Sequence, residues 1–552
     1  MLAVSDLKKS YNTQILFKDA NFSLNPGEKI GLIGSNGCGK TTLMRILAGQ
    51  EQPTAGQVHL PKDSLVAYLP QKFPLDLSLT LENAISSALG SIDALEQEIE
   101  ELAGRLVTSP DDRLLTERYD LLLSRVQSTD IGQAGTVLKQ LGLSEIDPRI
   151  SVGQLSGGQK TRVSLALVLL SRPDIILLDE PTNHLDVAML EWLESWLLES
   201  RHAALIVSHD REFLNHTVSR ILAFDIREHT IRSFAGDYDD YLSQRNTEID
   251  KQWSAYTDQV KEVKRLRADI VRAKQQAAWS EQQSSSVRIG GPEMKLSGAK
   301  DHVRGIAKKV ARKAKARENR LKRYLGSDER VKKPKEDRII RVEFSQTPHL
   351  GNTILELENL AVGYEHDSPL ITNINLNVSA GQRIVINGPN GCGKTTLLRT
   401  ITSEIPPLSG VVRLGKSVRL GVITQDFSML ESHNTAVSHI FFALPNETQA
   451  RHFLAKFQIT DDEALKPVHL LSLGQQARLA LAILELRQCN VLLLDEPINH
   501  LDIPSRQEFE EALVEFKGTV VAVVHDRYFI RRFAQVVWYV DGGNIITALP
   551  DK

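Results

Sequence analysis

The chain has 552 residues, more than a single hydrophobic core accommodates, so two or more domains are expected. Hydrophobic residues make up 41% and charged residues 24%, a composition of folded domains, and no run reaches the ~18–20 apolar residues of a bilayer crossing. The net charge of −3 hides a division: residues 251–340 hold 25 Lys and Arg against 11 Asp and Glu, so a basic segment sits in an acidic body. The opening Met1–Lys9 lacks the layout of a secretory signal, and three cysteines cannot make a disulfide framework. Membrane, secreted and fibrous classes are thereby excluded, and a reducing, cytoplasmic setting is expected.

The first informative element is a strand, Lys29-Ile-Gly-Leu-Ile33, running into Gly34-Ser35-Asn36-Gly37-Cys38-Gly39-Lys40-Thr41-Thr42 and then a helix. Glycines let successive N–H groups converge on phosphate oxygens, and the helix N-terminus adds partial positive charge. Lys40 is placed to reach β- and γ-phosphates, and the Thr41 hydroxyl to ligate Mg²⁺. Next, Ile92, Leu95, Ile99, Leu102 and Leu106 form one stripe of an amphipathic helix, broken by Thr108-Ser-Pro-Asp-Asp112. Leu114, Leu115, Tyr119, Leu122 and Val126 resume it, which predicts a helical hairpin, an arm over about 83–145, whose plain alternative role is structural. Leu155-Ser156-Gly157-Gly158-Gln159 follows ahead of a further helix. Asp174-Ile-Ile-Leu-Leu-Asp179-Glu180 reads as a strand buried on both faces, ending in paired carboxylates. Asp179 suits Mg²⁺, and Glu180 suits a general base that polarises water; the alternative is a carboxylate pair that merely closes a strand.

Residues 236–344 change grammar. Trp253, Tyr256, Val260, Val263 and Ile270 follow heptad-like spacing among Lys and Arg. Val303, Ile306, Val310, Ala314, Leu321 and Tyr324 give a second stripe, and Ser284 to Pro292 reads as the loop between. Two long antiparallel helices are predicted, the first over about Tyr241–Gln283. Such a charge run reads either as a solvated helix or as a surface for a polyanion.

The chain then repeats itself. Arg383-Ile-Val-Ile-Asn387 leads into Gly388-Pro389-Asn390-Gly391-Cys392-Gly393-Lys394-Thr395-Thr396; Leu471-Ser472-Leu473-Gly474-Gln475 and Asn490-Val-Leu-Leu-Leu-Asp495-Glu496 follow. Lys40 to Lys394 and Gln71 to Gln425 are both 354 residues apart, whereas Ser156 to Ser472, Asp179 to Asp495 and His209 to His525 are each 316. The first copy therefore carries 38 extra residues, the arm, between Gln71 and Leu155. The fold class expected is α/β: two tandem P-loop NTPase domains, 1–235 and 345–552, joined by a basic helical hairpin.

The Leu155-to-Gln159 pentapeptide ahead of a Leu-Leu-Asp-Glu-Pro strand resembles the ATP-binding cassette superfamily, over residues 1–235 and 345–552. The resemblance implies that Gln71 and Gln425 are Q-loop residues contributing at the metal, that Asn183–Asp186 and Asn499–Asp502 are D-loops, and that His209 and His525 are catalytic switch histidines. Tyr11 and Tyr364 stand where the superfamily stacks an aromatic on adenine, with core packing as the alternative. It also implies a head-to-tail sandwich within one chain, expected to be a monomer. Ser472, Gly474 and Gln475 would complete the site of Lys40, and Ser156, Gly157, Gly158 and Gln159 that of Lys394. Leu473 replaces the first signature glycine of the second copy, so unequal sites are expected.

Two cassettes, a basic linker, no membrane segment and Glu180-Pro-Thr-Asn-His-Leu-Asp186 together resemble the ABC-F family, cytosolic ATPases that act on the ribosome. The second copy departs at Ile498, where the family wording has Thr. The resemblance implies ATP and Mg²⁺ as cofactors and the ribosome as partner, with the linker near the exit site against ribosomal and transfer RNA. Arg288 and Lys295 near the tip, and Lys308, Lys309, Arg312 and Lys313 along the return helix, are the RNA-contacting candidates. Protection against antibiotics and general rescue of stalled ribosomes both remain open. The rival classes are the motor of a transporter with separate membrane subunits, which needs no basic hairpin, and a DNA-maintenance ATPase, which usually carries longer coiled coils or zinc clusters. With the chain ending at Lys552, contacts from a further C-terminal extension are not expected.

Overall fold

A computed structural model describes residues 1–12, 14–61, 64–71, 78–89, 91–108, 115–116, 119, 131–171, 173–183, 185–226, 228–286, 305, 308–309, 312–313, 315–323, 333, 353–365, 368–444, 446–460, 462–499 and 501–550. Several expectations lie outside the described residues: Leu114, Leu122 and Val126 of the arm, the D-loop histidines His184 and His500, Arg288 and Lys295 at the tip, and Val303, Ile306, Val310, Ala314 and Tyr324 of the second stripe. The chain divides into two compact units, one formed by Met1–Asp239 with Arg338–Lys552 and the other by Asp240–Asp337.

In the first unit each copy builds two sheets among the described residues. The strands of the first copy are β1 (Leu2–Tyr11), β2 (Gln14–Leu24), β3 (Lys29–Ile33), β4 (Ala55–His59), β5 (Val66–Leu69), β6 (Ile175–Asp179), β7 (Ala203–Val207), β8 (Arg220–Asp225) and β9 (Thr230–Ala235). Those of the second are β10 (Thr353–Val362), β11 (Ile371–Ser379), β12 (Arg383–Asn387), β13 (Ser409–Leu414), β14 (Leu420–Ile423), β15 (Val491–Asp495), β16 (Thr519–Val523), β17 (Val536–Asp541) and β18 (Asn544–Ala548). The main sheets run β5-β6-β7-β3-β8-β9 and β14-β15-β16-β12-β17-β18, so the copies share one strand order. The first five strands of each are parallel and the last is antiparallel. Smaller antiparallel sheets, β2-β1-β4 and β11-β10-β13, lie beside them.

Sequence explains the layering. Every residue of β3, β6 and β7 is buried, as expected of parallel strands covered on both faces, and so they read as continuous apolar runs. The cores are Phe17, Leu32, Leu43 and Leu205 in the first copy and Ile386, Leu397, Val521 and Trp538 in the second. A further cluster gathers Leu454, Phe457, Leu481, Phe509 and Phe516 under the helices of the second copy. Each such side chain contributes roughly 1.5–3 kcal/mol by burial. The parallel order places the carboxyl ends of β3, β6 and β7 along one edge, where open α/β sheets hold their ligands.

The arm's first helix spans Ser91–Thr108; Leu102 is buried and Val107 exposed. In the second unit, the helix that begins at Tyr238 runs to Ser286, roughly 74 Å at about 1.5 Å per residue. It extends past the predicted Gln283, because Ser284–Ser286, read as loop from composition, propagate an existing helix at small cost. Ile270 and Ala273 are buried on it, and Val260 and Trp279 are exposed. Lys274 pairs with Glu318 at 2.5 Å, and Lys333 lies 5.6 Å from the Trp253 ring, so the returning segment runs antiparallel to it. Among the described residues no helix is long and apolar enough to cross a membrane.

Candidate functional site

Each P-loop closes on its lysine. Gly39 and Gly393 cap their helices at φ 109° and 103°, a left-handed conformation that costs glycine little and a residue with a Cβ much more. Lys40 Nζ donates to the carbonyls of Gly34 and Ser35 at 2.7 and 3.2 Å, and Lys394 Nζ to those of Gly388 and Pro389 at 2.9 and 2.7 Å. Both lysines are buried, and burial lowers the pKa of Lys394. The threonine next in line donates to the strand-end aspartate: Thr41 to Asp179 at 2.8 Å and Thr395 to Asp495 at 3.1 Å. Burial pushes both aspartates upward.

The next residue turns the chain. Glu180 and Glu496 adopt φ of 56° and 50°, an uncommon backbone region for a non-glycine residue. Glu180 is sealed; burial pushes its carboxyl up to about 8, with Asp179 adding to the rise and Lys40 opposing it. His209 Nε2 lies 3.1 Å from its Oε1. In the second copy Asn499 Nδ2 donates to Glu496 Oε2 at 2.7 Å, and His525 Nε2 stands 3.6 Å from Oε1. Burial, and then Lys394, lowers His525 to about 4, so its ring is neutral at physiological pH.

A cavity of about 710 Å³ joins the copies. Its wall includes Tyr11, Asn36, Gly37, Gly39, Lys40, Thr41, Thr42, Gln71, Asp179, Glu180 and His209, the signature residues Ser156 and Gly158, and Asn390, Leu473, Glu496 and His525 of the second copy. Gln425 is exposed beyond β14. Tyr11 and Tyr364 are 48% and 67% exposed, so neither packs in a core; Tyr11 bonds Glu51, and Thr396 reaches the Tyr364 hydroxyl at 3.4 Å. The thiols of Cys38 and Cys392 are pushed up by burial.

Gln159 and Gln475 have structural partners. Ser156 and Ser472 begin their helices, and each forms a capping box with the glutamine three residues on, at 2.9 and 3.2 Å in the first copy and 2.8 and 3.2 Å in the second. A Cβ on Gly474 would meet Ser505 Oγ at 2.3 Å, whereas one on Gly157 meets nothing within 4 Å. Leu473, the departure from glycine, is 39% exposed on the cavity wall.

Of the contacts that bind the copies together, sequence reasoning singled out Asp502 as a D-loop residue and Asn36 as a P-loop residue, but not the ionic pairs. Asp502 Oδ1 caps its own helix through Ser505 N at 3.1 Å, and its Oδ2 accepts from Asn36 N in the opposite P-loop at 2.9 Å. Arg211 pairs with Glu510 at 3.2 Å, both buried, and Arg527 pairs with Glu194. These contacts are reciprocal, since each partner's counterpart lies 316 residues away. Arg211 also covers the Tyr528 ring at 4.9 Å, and Arg531 reaches Glu212 at 2.8 Å. The signal available in sequence was the recurrence of His-Asp-Arg at 209–211 and 525–527.

Comparisons with known proteins agree with this architecture. Profiles of the ABC transporter family match residues 17–183 and 371–499, and a second ABC transporter profile matches 224–289. The putative ATP-binding protein YdiF of Bacillus subtilis (strain 168) is 32% identical over 100% of this chain and 82% of its own length. ABC transporter F family member 5 of Arabidopsis thaliana is 32% identical over 98% of this chain and 75% of its own. Among solved structures, the archaeal ribosome recycling factor aABCE1, in complex with the ribosomal stalk protein aP1, superposes with a TM-score of 0.60 at 17% identity, covering 98% of this chain and 89% of that one, a likeness of fold. With two complete cassettes facing one another across a shared cavity, the chain belongs to the ABC-F family of tandem-cassette ATPases.

Proposed function

We propose that this ATPase, in its ATP-closed state, binds the ribosome and modulates translation, leaving on hydrolysis, with residues 1–235 and 345–552 as cassettes and 236–344 as the ribosome-facing linker. The observation that carries the reading is the returning segment of that linker. Lys308, Lys309, Arg312 and Lys313 are all exposed, and Lys315, Arg317, Arg320, Lys322 and Arg323 continue the exposed series. A dense row of exposed cations on a helix suits phosphate contacts recognised by shape and weakened by salt. The likeness to a ribosome recycling factor supports the same partner. The site of action is thereby cytoplasmic, near the exit side, against ribosomal and transfer RNA. Protection of the ribosome against antibiotics is the finer reading within this function, and general rescue of stalled ribosomes is its alternative.

The chemistry follows from the site. Lys40 and Lys394 take β- and γ-phosphates from their P-loops, and Ser156 with Gly158, or Ser472 with Gly474, close the opposite nucleotide. Thr41 with Asp179 and Gln71, and Thr395 with Asp495 and Gln425, would hold Mg²⁺; hydroxyl and carboxylate oxygens 2.8 and 3.1 Å apart are the hard donors that such a cation takes. When bound, the cation neutralises charge between the phosphates. Glu180 and Glu496 orient and polarise the attacking water, and His209 and His525 hold that geometry from the other side.

Sedimentation through sucrose with purified ribosomes tests the reading. The E180Q/E496Q protein with ATP is expected in the ribosomal pellet, and K40A/K394A in the supernatant. Neutralising Lys308, Lys309, Arg312 and Lys313 together should flatten the salt dependence of binding while nucleotide affinity is kept. Pelleting that ignores nucleotide and the four cations overturns the proposal. Replacing residues 288–296 and scoring drug susceptibility against growth separates protection from rescue.

A further inference from the structure

From Ser156 through His209 each residue of the first copy has its counterpart 316 positions later in the second. Three positions change character together. Thr182, Leu190 and Ser208 in the first copy become Ile498, Arg506 and Val524 in the second.

In the first copy, Thr182 Oγ1 and Ser208 Oγ are 3.1 Å apart, and Ser208 Oγ accepts from Asp210 N at 3.0 Å. Thr182 stands two residues beyond Glu180, and Ser208 immediately precedes His209. The hydroxyl pair therefore straps the loop carrying the carboxylate to the turn carrying the histidine.

In the second copy neither hydroxyl exists, and Ile498 and Val524 are buried apolar side chains. Arg506, from the helix Ile503–Glu515, spans the same gap. Its Nη1 lies 2.5 Å from Asp526 Oδ2, beside His525, and its Nη2 donates to the Ile498 carbonyl at 3.3 Å, two residues past Glu496. Asp526 is itself fixed, its Oδ1 accepting from Phe529 N at 2.7 Å as the cap of the next helix. Arg506 and Asp526 are both buried, at 6% and 8% exposure, where a charge-assisted, two-armed guanidinium contact is stronger than a neutral hydroxyl pair.

We propose that Arg506 is a positioning residue of the second site, a guanidinium strap that fastens the Glu496 loop to the His525 turn where the first site uses Thr182 and Ser208. The proposal rests on the assignment of Glu496 as the base. It makes the two sites differ in how their catalytic loops are held, although their P-loops are nearly identical.

Single-site backgrounds test it: E180Q leaves the second site as the source of turnover, and E496Q leaves the first. R506L, which copies Leu190, is expected to lower kcat in the E180Q background about tenfold, with KM for ATP held within about twofold. The loss in the E496Q background should be smaller by a factor of about five or more. Grafting the hydroxyl strap, as I498T/V524S/R506L, should recover about half or more of the lost rate in the E180Q background. The reverse exchange, T182I/S208V/L190R, should retain first-site turnover in the E496Q background. Equal losses in both backgrounds, an unchanged second-site rate, or loss of activity in both exchanges overturns the proposal. Parent-like turnover of the E180Q/E496Q protein instead overturns the base assignment, and it is read before the other variants.

Discussion

The sites built on Lys40 and on Lys394 differ in their P-loops by one residue, Ser35 against Pro389, yet their carboxylates live differently. The Glu180 side chain is 6% exposed and within 3.1 Å of its histidine; that of Glu496 is 22% exposed, 3.6 Å from its histidine and held by Asn499. Outside the P-loops the sites differ in Leu473, in Arg506 and in what seals each turn. A motif fixes which atoms are supplied, whereas its packing fixes how tightly they are held.

The broadest attempt to break the comparison removes both carboxylates. E180Q with E496Q should cut phosphate release by about 100-fold or more, as loss of a general base does, and the two single variants should retain unequal rates. If the singles are equal, the packing differences are mechanistically silent. Next comes the reciprocal ionic contact. R211E leaves the buried Glu510 with only the longer contact of Arg532 at 4.0 Å and should cost about 3–5 kcal/mol in urea unfolding, whereas R531E, changing a half-exposed arginine, should cost about 1 kcal/mol or less. R211E/E510R should recover part of the first loss, and no recovery would deny the pair its place.

L473G, which restores the glycine of the first signature, trims the cavity wall near Lys40. A few-fold change in KM for ATP is expected in the E496Q background, with a smaller one in the E180Q background. The smallest effect concerns Asp210, pushed up to about 6 by burial and then by Asp526, with Arg527 and Arg506 opposing. The native state then holds this proton more tightly than the unfolded chain. Its stabilising share is complete below the ordinary value of 3.8 and is lost as pH rises through about 6. D210N keeps the cap on Phe213 N, so it should flatten the pH 4–7 stability profile by about 1 kcal/mol.

Much of this architecture is visible in the letters. Continuous apolar runs such as Ile175–Asp179 suit strands covered on both faces, and Gly39 before Lys40 suits a helix opened from a left-handed turn. The capping boxes were also visible as Ser-x-x-Gln at 156–159 and 472–475, and the chemistry expected at those glutamines obscured them. Other features were not visible. Whether Arg211 meets Glu510 depends on which helix faces confront each other across the copies, and periodicity along one chain carries no such information. Arg506 likewise looks like one more helical arginine until its bonds to Asp526 and to the Ile498 carbonyl are seen. The helix through Ser286 outran its composition, because a growing helix tolerates serines that would not start one.

The exchanged pairs, Arg211 with Glu510 and Arg527 with Glu194, have a consequence for ancestry and engineering. Each half lends one cation and accepts one, so a liberated half could satisfy the same two contacts with a twin of itself. A circularly permuted gene that reads the second cassette before the first would preserve both pairs. At these four positions the halves are yoked, because a change in one is felt by the other. At 182, 190 and 208 and their counterparts the halves instead carry different side chains.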